Sequence, residues 1–233
     1  MVPARFIAAT FVLALSAYGN ASAPQDSPTP LPILPERYDT ILVSVGDSIL
    51  GREIVVWTRL GLEQLQVRKW TSAVEGASET DSLFANPMTL VPVREVRVTG
   101  DTVINIIFGG DTLFLTTIID GSSSTSRALA PVGAMYSSSS LATLAATMPL
   151  RPEANRTFLV FLLPPFQRGA ISVFVRVWDP VRVDGREAWR VTASTPGGGS
   201  TYWVDAVTRT ILRSEIRIGD TVVSRRPINP GRR

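Results

Sequence analysis

The chain has 233 residues, 45% of them hydrophobic, and a formal charge of +3. It contains neither cysteine nor histidine, which excludes disulfides, thiol nucleophiles, Ser-His-Asp triads and metal sites built on those two residues. Calcium-type coordination by carboxylates and carbonyls stays open. The small charge excess is carried by arginine, with Lys69 the single lysine, and no basic stripe with interleaved aromatics argues for nucleic acid.

Residues 1–23 have the pattern of a cleavable bacterial export signal. Arg5 supplies the positive start, residues 6–17 an apolar run too short to span a bilayer, and Ala21-Ser22-Ala23 a small-residue cleavage site. No cysteine follows that could take a lipid anchor. The pattern predicts a periplasmic or secreted protein, with an uncut membrane anchor as the alternative. An exported chain without disulfides takes its stability from its core. Residues 24–36 carry five prolines and read as an extended linker. The folded domain is expected over 37–226, followed by a frayed basic tail at 227–233.

From Arg37 onward the pattern is that of strands. Residues 40–45 and 49–60 flank Gly46-Asp47-Ser48, a hairpin signal, and 64–74 alternates Leu65 and Val67 with Gln64, Gln66 and Arg68. Further strands are expected at 81–84 and 89–98. Residues 102–108, 113–119 and 157–163 are apolar on nearly both faces, which predicts burial on both sides or one face lining an apolar cavity. The serine-rich stretch 120–140 reads as a mobile surface loop. Ser140 is placed to cap the one convincing helix, residues 141–148. Residues 168–226 alternate most cleanly, with Ile171, Val173, Val175 and Val177 on one face and turns at Asp184-Gly185, Gly197-Gly198-Gly199 and Gly219-Asp220. The arginines of the last segment, SRRPINPGRR, read as a solvated end. Together these elements predict a mainly β protein: a single curved antiparallel sheet, a half-open barrel of about a dozen strands, with one short helix in or over its concave face.

Several short motifs invite chemistry and are better explained by turns. Asp120-Gly121 after Ile118-Ile119 lacks the Ser or Thr, and the second aspartate, that an aspartic protease loop needs. Gly197-Gly198-Gly199-Ser200 precedes a strand rather than the helix a phosphate loop opens. Glu75, Glu79 and Asp81 are too sparse for a calcium loop and read as a solvated turn. Asp205, after Tyr202-Trp203-Val204, reads as a structural turn residue whose carboxylate accepts backbone amides.

The order of Asp81-Ser82-Leu83, Thr89-Leu90-Val91-Pro92, Met148-Pro149-Leu150 and Tyr202-Trp203-Val204-Asp205 with Thr208-Arg209 and Leu212-Arg213 resembles exported bacterial all-β proteins grouped as domains of unknown function. These are similar in shape to the periplasmic lipoprotein carriers of the LolA and LolB type. The resemblance spans roughly residues 37–225 and implies a curved sheet with a helix in its concavity, where the carriers hold acyl chains. The single helix and the long serine-rich stretch depart from the carrier pattern.

The function expected is non-catalytic binding of an apolar ligand, a lipid or acyl chain, or of a partner segment, in the concavity. Its apolar wall would include Ile104, Ile106, Phe108, Phe114, Phe158, Val160 and Leu162. The alternative is an envelope interaction module whose helix fills the concavity and which takes no small ligand. No cofactor, metal or nucleic acid is expected. Lipid, a lipidated protein or peripheral membrane contact are the expected partners.

Overall fold

In the computed structural model, which describes residues 36–73, 77–110, 112–129, 134–162, 169–195 and 198–228, the alternation becomes one sheet of fifteen strands. The expected export signal, nearly all of the proline-rich linker and the last five residues lie outside the described residues. The first eight strands are β1 (Arg37–Val45), β2 (Ser48–Leu60), β3 (Glu63–Ser72), β4 (Ser78–Ala85), β5 (Pro92–Thr99), β6 (Thr102–Gly109), β7 (Thr112–Ile119) and β8 (Ser122–Leu129). A short strand β9 (Met135–Ser137), a 3₁₀ turn (Ser138–Ser140) and the helix α1 (Leu141–Thr147) follow. The chain ends in β10 (Asn155–Leu162), β11 (Gly169–Val183), β12 (Arg186–Thr195), β13 (Gly198–Asp205), β14 (Ile211–Ile218) and β15 (Thr221–Pro227).

The order across the sheet is β8-β7-β6-β5-β4-β3-β2-β1-β15-β14-β13-β12-β11-β10-β9. Two meanders are joined side by side through β1 and β15, whose pairing runs from Ile41 opposite Pro227 to Val45 opposite Val223. All neighbours are antiparallel except β9 and β10, which run parallel. Tight turns make the meanders possible. Asp120-Gly121 and Asp184-Gly185 both have φ near +50° then +78°, the pair of positive angles that a two-residue hairpin needs and that Asp and Gly tolerate.

The sheet is not closed; it rolls past itself. Period two puts Ile106 beside Leu115 on one face of β6 and β7 and separates Phe158 and Val160 from Leu159 and Phe161 on β10. Phe158 and Val160 pack into a core with Val173, Val175, Val191 and the helix residues Leu144 to Ala146. Phe161 and Leu159 pack the other way, against Ile106, Leu113, Leu115 and Met135. The inner face of β6 and β7 therefore covers the outer face of β10, like the overlap of a scroll. This accounts for β10 being apolar on both faces. It does not extend to β6 and β7, whose outer residues Ile107 and Phe114 are more than 40% exposed.

Three expectations are corrected here. The serine-rich stretch is not one surface loop: Ser122–Leu129 forms edge strand β8 and Met135–Ser137 forms β9; β8 pairs along all of β7 with a wet face where Thr116 and Thr125 meet, and β9 is held by burial of Met135 and Tyr136. Ser140 does not cap α1 with its side chain; Ser137 Oγ accepts from Ser139 N at 3.1 Å, and Ser140 Oγ donates to the Ser137 carbonyl at 2.6 Å. Arg225 and Arg226 do not belong to a frayed tail, since both lie in β15.

The outer face carries a cross-strand ladder that one-dimensional reading does not show. Arg176 and Arg190 stack on Trp178 with guanidinium-to-ring distances of 4.1 and 5.1 Å, and Arg213 stacks on Trp203 at 4.9 Å. Such contacts contribute about 0.5–1 kcal/mol each at exposed sites. They shield the two indole rings of the β11–β14 meander.

The overlap gives a direct test. Phe161→Ala should destabilise the fold by about 3–5 kcal/mol in urea titration, because Phe161 lies buried between two layers of one sheet. Phe114→Ala on the outer face should cost less than about 1 kcal/mol. Equal losses would contradict the overlap.

Candidate functional site

The roll encloses α1 and leaves a space beside it. Leu144, Ala145 and Ala146 are fully buried, and the helix contacts β12 and β13. Its small residues let it lie close to the strands. Next to it is a partly open cavity of about 260 Å³. Strands β10 to β14 give this cavity an apolar wall that includes Leu162, Val173 and Ile216; Leu141 and Ala142 of the helix add to it. Into the same cavity β3, β5 and β15 present Arg68, Arg97 and Arg225, and the 3₁₀ turn presents Ser139.

These arginines belong to a buried polar system that the strand register assembles. Arg68 stands opposite Asp81, and Asp81 opposite Arg97; Glu95 is level with Ile106 on the inner face. Glu53, 2% exposed, accepts from Arg68 Nε at 2.9 Å and pairs with Arg225. Arg97 reaches Asp81 and Glu79, each at 3.4 Å. Burial pushes the Arg225 guanidinium down to about 10, so it remains charged at neutral pH.

Ser139 is the centre of the system. Its hydroxyl lies 2.6 Å from Asp81 Oδ2 and 2.6 Å from Glu95 Oε1. Its carbonyl accepts from Gln66 Nε2 at 3.4 Å. A single hydroxyl proton can serve only one carboxyl, so at least one of the two acids must carry a proton of its own. Burial, then the neighbouring Asp81, pushes Glu95 up to about 8. Burial also acts to raise Asp81, but the guanidiniums of Arg68 and Arg97 outweigh it and hold Asp81 below its ordinary range. Near neutral pH the cluster therefore contains one neutral acid, one hydroxyl and one carboxylate. The two donors face the ionised acceptor, as a buried network requires. The Asp81 carboxylate thus lies in a buried strand, and its reading as part of a solvated turn is corrected; Glu79 shares that strand, and Glu75 lies outside the described residues.

Of the seven residues expected to form an apolar wall, Leu162 lines the cavity. Phe158 and Val160 lie in the core around the helix. Ile104, Ile106 and Phe108 lie in the overlap. Phe114 is on the outer face, 41% exposed, with Arg127 over its ring at 6.0 Å, because it alternates with Leu113 and Leu115. Asp205 Oδ1 accepts from Val207 N at 3.0 Å and Thr208 N at 2.7 Å, and Arg186 pairs with its other oxygen at 2.7 Å. This turn places Arg209, at φ +60°, to donate to the Met148 carbonyl at 2.8 Å, tying the end of α1 to the β13–β14 connection.

The arginines and acids of the interior were missed because a charged residue in an alternating strand is ordinarily on the wet face. The available signal was register: Asp81 shares its face with Leu83 and Ala85, all three buried. Gly198 and Gly199 also line the cavity. A Cβ on Gly198 would stand 2.9 Å from the Arg217 carbonyl, so glycine lets β13 lie close to β14 there.

No protein-family profile matches this sequence, and no curated protein matches it. Among solved structures, the chain is similar to a β-barrel-like protein of domain of unknown function DUF1849 from Brucella abortus. The match has a TM-score of 0.54 and 10% identity, and covers 84% of this chain and 97% of that one. At that identity it shows a shared fold. A second structure, the hypothetical lipoprotein YmcC from Escherichia coli, aligns over 84% of this chain and 86% of its own at 14% identity, with a TM-score of 0.28, too low to bear on the fold.

The acid pair generates a pH dependence. The folded chain holds a proton on Glu95 more tightly than the unfolded chain does, so stability falls as pH rises from its ordinary value of 4.5 through about 8. Asp81 acts oppositely: its contribution is present above the ordinary value of 3.8 and is lost as pH falls through the depressed folded value. Melting temperature, followed by circular dichroism, should decline between pH 6 and pH 9 and flatten in Glu95→Gln. An unchanged decline in that variant would exclude Glu95 as its cause.

Proposed function

We propose that this is an exported cell-envelope protein that holds an apolar ligand in the concavity of its rolled sheet and catalyses no reaction. The observation that carries the reading is the cavity beside α1, walled by apolar residues of β10 to β14 although the chain's own helix already occupies the concavity. Burial of apolar surface, at about 25 cal/mol per Å², supplies the driving force. The paired acids Asp81 and Glu95 are not among the residues lining the cavity, which favours binding over carboxylate catalysis. Export rests on the pattern of residues 1–23.

A second reading, an interaction module of the envelope, is favoured by a different observation. Val98, Ile107 and Phe114 are exposed on the outer face of β5 to β7, and apolar surface of this kind can meet another chain.

Native mass spectrometry of gently purified protein should show a bound small apolar molecule, and an uncharged fluorescent apolar probe should bind with one site per chain. Ala142→Trp, which fills the cavity from the helix side, should weaken the probe at least about tenfold, equivalent to about 1.4 kcal/mol. Absence of both bound molecule and probe, with concentration-dependent association instead, would support the interaction module.

A further inference from the structure

We infer that the ligand is a single acyl chain ending in an anionic head group, with the head held by the arginines of β3, β5 and β15 and the chain lying along β10 to β14. The inference deepens the proposed binding function and rests on it. What carries it is the unequal character of the two walls. One wall is mostly apolar, with Thr195, Ser200 and Tyr202 among its aliphatic residues. On the other, Arg68, Arg97 and Arg225 line the same cavity.

The guanidiniums border the cavity and their acid partners do not. Glu53 is shared by Arg68 and Arg225, and Asp81 and Glu79 meet Arg97, but no carboxylate is among the residues that line the cavity. An apolar cavity bordered by guanidiniums and by no carboxylate suits a ligand that brings its own negative charge. Arginine recognises both carboxylate and phosphate through paired N–H donors. A neutral ligand of the same length would gain the apolar wall and leave those guanidiniums without a negative group inside the cavity. A cationic one would be repelled by them.

The size of the cavity sets the number of chains. At about 260 Å³ it lies just under the range of about 300–1,000 Å³ usual for small-molecule sites. It has room for one short chain and not for a multiply acylated lipid. Ser139 sits at the junction of the walls with its hydroxyl already engaged by Asp81 and Glu95. The charge of the head group is therefore met by the arginines, the only charged residues that line the cavity.

The test is displacement of the uncharged apolar probe by ligands of one chain length at pH 7: decanoate, decyl phosphate, decanol and decyltrimethylammonium, with a two-chain phosphatidylglycerol as the size control. The two anions should displace it at least about tenfold more tightly than decanol, the cation should be weakest, and the two-chain lipid should fail. Whichever of decanoate and decyl phosphate binds more tightly identifies the head group. In Arg68→Gln the preference for anions should shrink to about twofold while decanol binding is kept. Decanol binding as tightly as the anions in the wild-type protein would overturn the inference and leave apolar binding standing. Failure of the probe and of every ligand to bind would overturn both. The wild-type series decides the matter even if the variant does not fold.

Discussion

The contact on which the rest of this structure depends is the Ser139 hydroxyl, held 2.6 Å from each of two buried acids on neighbouring strands. It joins the meander β1–β8 to the segment that carries β9 and α1. An ionised pair at that depth would be strongly unfavourable, and two neutral acids would waste the field of Arg68 and Arg97. With one proton between the two acids, the second charge is not buried and the remaining carboxylate keeps the field of Arg68 and Arg97. Because Ser139 leads directly into α1, the same contact positions the helix within the roll.

A twisted sheet of fifteen strands that does not close must do something with its ends. Here β6 and β7 pass outside β10, so that one strand is buried by two layers of its own sheet. The overlap replaces the hydrogen bonds that would close a barrel with side-chain packing. The helix fills part of the interior. The cavity is the remainder, bounded mostly by apolar side chains and by the guanidiniums of Arg68, Arg97 and Arg225.

The outer surface follows a separate logic. Arginines stack on Trp178 and Trp203, while Phe174 and Val181 on β11 stay exposed, as do Val98, Ile107 and Phe114 on β5 to β7. Basic residues are thus divided between two roles. Those outside cover aromatic surface, and those inside balance buried acids. Composition cannot distinguish the two, since an arginine contributes the same charge to the total in either place.

The sequence by itself determined the strand content, the hairpin positions and the single helix, because alternation and Asp-Gly turns act between residues close along the chain. The apolar doubling of β10 was likewise legible, although what covered it was not. Only the tertiary structure decided that the serine-rich stretch would become two strands, that Phe114 would face outward, and that Glu53, Asp81 and Glu95 would be buried among arginines. Those outcomes depend on register and on how far the sheet rolls, both of which are set by residues distant in the chain. Arg68 and Asp81 meet across β3 and β4, and Ser139 reaches them from a segment 58 residues beyond Asp81. A charge's neighbours across strands decide whether it faces water or a cavity, and they are not written next to it.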